Sequence, residues 1–241
     1  MTIYKRNTSF FLVIFTILCA DETDPYQLPV YNISRTLGSI TIDGHLDDVG
    51  WQSTNVINNF LEVMPGENIP PIVRTEAFVT YDSKNFYVAI KCYDDPKNIR
   101  AQISKRDRIY NDDYAGFYID TYGDANRAVE FQVNALGIQG DSQTVGTNED
   151  QSFDMIFSSA GIITEEGYQV EVAVPFSSLR FPDKEEQTWR FSVFRSLPRN
   201  DFKRKMASFR MDRNNPCNLC QFGYLKGVSG IKSSRSIELL P

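Results

Sequence analysis

From residue 39 onward the chain alternates apolar and polar residues with a period of two, and no stretch holds the 3.6-residue period of a long helix. Successive side chains of a strand point to opposite faces, so this pattern suits half-buried strands. Residues 85–93 put Phe86, Val88, Ile90 and Cys92 on one face and Tyr87, Ala89, Lys91 and Tyr93 on the other. Residues 128–135 repeat the scheme with Val129, Phe131 and Val133 inward, and residues 168–174 with Tyr168, Val170, Val172 and Val174. Trp189, Phe191 and Val193 alternate with Arg190, Ser192 and Phe194. Further strands are expected at 39–43, 73–81, 115–121, 153–158 and 223–228, and short helical turns at 98–102 and 176–179. The separators, such as Gly123-Asp124-Ala125-Asn126 and Glu165-Glu166-Gly167, are turn material. With 17 Phe and 12 Tyr against 5 Met, the apolar content also leans toward pleated sheet. The expected fold is all-β: an antiparallel β-sandwich, jelly-roll or immunoglobulin-like, over residues 39–230.

The first twenty residues stand apart. Lys5 and Arg6 precede an apolar run from Phe10 to Leu18, and Cys19-Ala20 leads into the acidic Asp21-Glu22-Thr23-Asp24. This reads as a secretory signal peptide, 1–20, followed by a linker, 21–38. The run is much shorter than the roughly 20 residues that span a bilayer, so no transmembrane helix is expected in the mature chain. Without Lys5 and Arg6 the balance is 23 basic against 31 acidic residues, a net −8. That charge, with no clustered basic surface, argues against a nucleic-acid partner. Export puts Cys92, Cys217 and Cys220 in an oxidising compartment. Cys217-Asn218-Leu219-Cys220 lies in turn-like sequence and has no second Cys/His pair to complete a zinc site, so a small structural disulfide is expected, with Cys92 a buried free thiol.

Catalytic signatures are missing. His45 is the one histidine, and there is no G-x-S-x-G elbow, phosphate-binding G-x-x-x-x-G-K or dinucleotide fingerprint. No carboxylate pair stands out as a glycosidase couple. The chain is therefore read as a non-enzyme.

The order of local motifs resembles family 9 carbohydrate-binding modules. Ile42-Asp43-Gly44-His45-Leu46-Asp47-Asp48-Val49-Gly50-Trp51 is similar to the family's opening, and Thr75-Glu76, Tyr81-Asp82, Phe86-Tyr87-Val88-Ala89, Arg106-Asp107 and Asp120-Thr121 follow in order. Phe131-Gln132-Val133-Asn134, Gly137-Ile138-Gln139-Gly140-Asp141, Gly167-Tyr168-Gln169-Val170-Glu171 and Leu179-Arg180-Phe181 complete the series. The likeness is nearest to modules at the N-terminus of bacterial outer-membrane β-barrel proteins, where residues 231–241 resemble the start of the barrel; the chain is then either a fragment or a stand-alone module. The resemblance implies an exported module, periplasmic or outer-membrane-associated, that recognises poly- or oligosaccharide in the context of carbohydrate breakdown. Its alternative is a plug or assembly domain that packs against a barrel and binds no sugar.

Sugars are recognised by aromatic faces together with carboxylates, amides and cations, and the outward strand positions offer that mixture. Tyr87, Lys91, Tyr118, Glu130, Gln132, Asn134, Glu171 and Phe194 are expected to line one broad surface, with Arg106 of the Arg106-Asp107 motif as a further carbohydrate-binding candidate. The same alternation also arises from a solvated or loop-covered sheet face. Characterised family members clamp a sugar between two Trp rings, whereas Trp51 and Trp189 both sit in core-like motifs and Phe153-Asp154 stands where the sub-group often carries Trp-Asp. Structural calcium is common in the family, and Asp112 with Asp113, or Asp120 with Asp124, are the candidate ligands.

Overall fold

The structure, a computed structural model, describes residues 27–200 and 202–232. The expected signal peptide and nearly all of the 231–241 segment lie outside the described residues. In chain order the strands are β1 (Val30–Asn32), β2 (Val56–Ile57), β3 (Leu61–Met64), β4 (Thr75–Tyr81), β5 (Asn85–Tyr93), β6 (Tyr114–Asp120) and β7 (Arg127–Asn134). They continue with β8 (Gln139–Val145), β9 (Asn148–Asp150), β10 (Ser158–Thr164), β11 (Gly167–Pro175), β12 (Glu186–Arg199), β13 (Phe202–Ala207) and β14 (Gly223–Ser229). Single 3-10 turns at Val49–Trp51, Pro96–Asn98 and Leu219–Gln221 are the helical content among the described residues, and no described helix is long and apolar enough to cross a membrane.

The strands form two sheets packed face to face, the sandwich that the alternation predicts. The larger runs β1-β14-β12-β6-β7-β8-β9, with β13 bridging β12 to β3; the smaller runs β10-β11-β5-β4-β2. All pairings are antiparallel except β1 with β14. The inward faces meet in an aromatic core in which Trp189, fully buried, lies against Phe86, Phe176 and Phe181. Phe117 stacks on Phe131 at 4.8 Å between ring centroids.

Several elements depart from the sequence expectation, each for a local reason. Residues 39–43 are not a strand, because side chains take their backbone donors: Thr41 N–H donates to Asp48 Oδ2 and Asp43 N–H to Glu171 Oε2. In the same way Met155 N–H donates to Asp141, and the strand expected over 153–158 begins only at Ser158. The 21–38 stretch, expected as a linker, supplies β1, whose buried Tyr31 donates its hydroxyl hydrogen to Ser208 O at 2.7 Å. β13 escapes the apolar count because Lys203, Arg204 and Lys205 occupy its middle; it is held by its ladder with β12.

A second apolar cluster lies on the outer face of the larger sheet. Val63, Tyr114, Phe194, Phe209 and Phe222 pack there under β3, β13 and the 208–222 segment. Within that segment Cys217 and Cys220 form a disulfide with Cα atoms 5.4 Å apart, while Cys92 is a free thiol in the inter-sheet core.

Candidate functional site

The predicted site residues do not share one surface. Tyr87, Lys91 and Glu171 stand on the outer face of the smaller sheet; Tyr118, Glu130, Gln132, Asn134 and Phe194 stand on the outer face of the larger, on the opposite side of the sandwich. The single broad surface expected from alternation therefore divides in two, since alternation says which residues share a face of one strand but not which sheet the strand joins.

On the smaller sheet, loop residues 40–51 cover the face. Glu171 is completely buried beneath them and accepts three hydrogen bonds: from Asp43 N–H at 3.0 Å, Gly44 N–H at 2.7 Å and Trp51 Nε1–H at 2.8 Å. Gly44 has φ of +95°, a conformation that costs a glycine little and aims its N–H at the carboxylate. Trp51 seals the loop edge-on against Tyr87, whose hydroxyl donates to Asp82. Tyr87 and Glu171 thus serve the Asp-Gly…Trp motif rather than an open surface. Lys91 remains at the rim, paired with Glu166 at 2.7 Å.

Arg106 belongs to a different group. Its guanidinium pairs with the buried Asp141, donates to Gln139 Oε1 at 2.6 Å and lies 3.4 Å from Asp154. Asp107, Asp141 and Asp154 bring three carboxylate oxygens within 4.8 Å of one another, the cluster of this kind found among the described residues. Arg106 already supplies the positive charge there, so the set does not fit a calcium ion with that side chain in place. The carboxylates expected to hold calcium, Asp112 with Asp113 or Asp120 with Asp124, are each engaged by protein donors. Asp112 and Asp113 precede β6 while Asp120 and Asp124 follow or end it, about 20 Å away along a seven-residue strand. Asp113 accepts from Arg199 at 2.8 Å and from Arg100 N–H, and Asp112 accepts from Asn134 Nδ2. Asp120 accepts from the N–H groups of Tyr122, Gly123 and Ala125, which closes its own turn, and Asp124 accepts from Asn126 N–H. Asn134 likewise accepts from Leu136 and Ile138 N–H, capping the turn after β7.

The other predicted residues do come together on the outer face of the larger sheet, but Glu130, Gln132 and Phe194 are buried there, and only the rim of the face is open. Glu130 lies opposite Tyr118, and Gln132 opposite Gly116, which lies opposite Phe194. Gly116 is required, because a Cβ there would lie 2.0 Å from Phe131 O. The Phe194 ring lies over the space that a side chain there would fill, its Cζ 3.0 Å from the position of that Cβ. Lys205 from β13 lies over the Tyr118 and Phe194 rings and donates to Tyr118 Oη at 3.0 Å. Lys203 lies over the Tyr110 and Tyr114 rings and donates to Tyr110 O. Neither lysine has a carboxylate partner among the described residues. Burial holds Lys203 below the ordinary lysine range, with Lys205 adding to the effect. Burial, reinforced by the Glu130 charge, pushes the Tyr118 and Tyr110 hydroxyls up, so both remain protonated donors. Tyr110 Oη and Gln132 Oε1 are enclosed here, shut off from solvent and without a protein hydrogen-bond partner. Tyr110, Tyr114, Lys203 and Lys205 escaped the sequence reading. The first two lie at the edge of β6 or before it, and the lysines sit in the unrecognised β13; the basic pair spaced by two in Lys203-Arg204-Lys205 was the available signal.

This sandwich has counterparts among solved structures. A Bacteroides uniformis protein inferred to bind carbohydrate is 13% identical, with a TM-score of 0.64 over 83% of this chain and 99% of its own. A family 9 carbohydrate-binding module from Caldicellulosiruptor kristjanssonii, in complex with cellotriose, is 17% identical with a TM-score of 0.58 over 88% and 98%. The same description with glucose bound gives 18%, 0.56, 88% and 100%. At these identities the likeness is one of fold. No curated protein matches the chain. Residues 42–201 match the model of the carbohydrate family 9 binding domain-like family, and the chain belongs to that family.

Proposed function

We propose that the outer face of the larger sheet binds poly- or oligosaccharide, and that the chain acts by binding rather than catalysis. The observation that carries this reading is the rim of that face, where the exposed Lys203 and the half-buried Lys205, without carboxylate partners among the described residues, lie over the half-buried Tyr110 and Tyr118 rings. Aromatic faces accept pyranose C–H surfaces, and Lys, Gln and Tyr heads meet hydroxyls. Family membership and the cellotriose and glucose complexes of similar folds support the ligand class.

The test is affinity electrophoresis or calorimetry with cellotriose and soluble glycans. Tyr110→Ala and Lys203→Ala are each expected to weaken binding about tenfold with the thermal midpoint little changed, as loss of one good hydrogen bond or ring contact implies. Undiminished binding in both variants would remove the sheet face as the site.

We place the protein at the cell envelope, periplasmic or outer-membrane-associated, in the context of polysaccharide breakdown. Lys5-Arg6 ahead of the Phe10 to Leu18 run supports export, and the likeness of residues 231–241 to the start of a barrel supports a barrel partner. Cell fractionation with N-terminal sequencing of the mature chain tests this: a cytosolic protein that retains residues 1–20 would overturn it.

A further inference from the structure

A cavity of about 880 Å³ opens between the two sheets, away from the sheet-face site. Its floor includes the inward-facing Ile119 and Val129 of the larger sheet and Leu179 from the turn after β11. Tyr122, half exposed, and Phe153 contribute aromatic rings, and Gln143 an amide. A volume of this size suits an oligosaccharide of a few units, since small-molecule sites span roughly 300–1,000 Å³.

The charges in the cavity indicate which oligosaccharide. Asp154 contributes a carboxylate, 3.4 Å from an Arg106 guanidinium that it shares with the buried Asp141, and Arg180 contributes a guanidinium beside Arg127. Arg127, at the start of β7, is exposed and makes no side-chain hydrogen bond or ion pair among the described residues. An uncompensated guanidinium beside exposed rings, in a chain that is otherwise acidic, is arranged to take a carboxylate through two parallel hydrogen bonds. We infer that this groove is a second binding site, for an acidic oligosaccharide whose uronate carboxylate pairs with Arg127 while its ring faces lie on Tyr122 and Phe153. The sugar class rests on the carbohydrate reading above; the preference for an acid rests on Arg127.

The experiment is calorimetric titration of the full chain with a galacturonate trisaccharide and, separately, with cellotriose. Arg127 and Tyr122 are exposed, so Arg127→Ala and Tyr122→Ala are expected to fold normally, with the thermal midpoint as the control. Arg127→Ala should weaken galacturonate binding about 10–100-fold, as loss of a charge-assisted pair implies, and leave cellotriose binding unchanged. Lys203→Ala should leave galacturonate binding unchanged. Galacturonate that fails to bind at millimolar concentration, that binds Arg127→Ala as well as the parent, or that is lost in Lys203→Ala instead, overturns the groove assignment. A protein that ignores cellotriose but binds galacturonate through Arg127 would sink the sheet-face reading and leave the groove standing.

Discussion

Glu171 organises a motif far from it in sequence. Its carboxylate is the shared acceptor for Asp43, Gly44 and Trp51, so the Asp-Gly…Trp signature is a loop folded around one buried charge. Glu171→Ala would leave three donors unpaired beneath the loop and is expected to cost about 2–4 kcal/mol in chemical denaturation, with red-shifted Trp51 fluorescence. Burial pushes this carboxyl up from its ordinary 4.5, against its hydrogen bonds. A carboxyl raised in the folded state binds its proton more tightly there, so its contribution is complete below 4.5 and is lost as pH rises through the folded value. The urea midpoint should therefore decline with rising pH across that window, and the decline should be smaller in Glu171→Ala; an identical pH slope in the two proteins would contradict this. The outward position of Glu171 was legible from the alternation of β11. Its role was not, because no local pattern links residues more than a hundred positions apart.

Among the elements, β12 carries the most. Fourteen residues long, it takes β14 and then β13 along one edge and β6 along the other. Its inward Trp189 meets three phenylalanines drawn from β5 and from the turns after β11. Trp189→Ala is expected to cost about 3–5 kcal/mol, read as a shift of the denaturation midpoint; a shift near zero would place the ring outside the core. The elements most clearly patterned in the sequence, β5, β7 and β11, are those whose inward faces are uniformly apolar, and they form with bounds within a residue of those expected. β8 and β13 were illegible because their composition is polar or basic, and they become strands only by completing a neighbour's hydrogen bonds.

In the molecule as a whole, the two sheets are joined by more than apolar contact. Arg195 projects from β12 into the core, is completely buried, and donates to Tyr93 O at 2.9 Å and Asp94 Oδ2 at 3.0 Å across the interface. Arg199 reinforces the link by pairing with both Asp94 and Asp113. Arg195→Met should cost about 3 kcal/mol, because it leaves carbonyl and carboxylate acceptors buried. The loss should be the same at low and at 0.5 M salt, since a water-excluded pair is poorly screened; a loss that vanishes with salt would show the pair to be solvated. At this scale the division between sequence and structure becomes clear. The sequence by itself determined a sandwich of short strands, the inward face of most of them and a likeness to a sugar-binding family, because strand periodicity is local and burial follows from it. Only the tertiary structure decided that the outward residues part to opposite sides, that Asp113 accepts from Arg199 and Asp120 from turn N–H groups, and that Lys203 and Lys205 lie over the Tyr110 and Tyr118 rings. Those outcomes depend on which strands become neighbours, and strand order is fixed by packing of the whole chain rather than by any stretch of it.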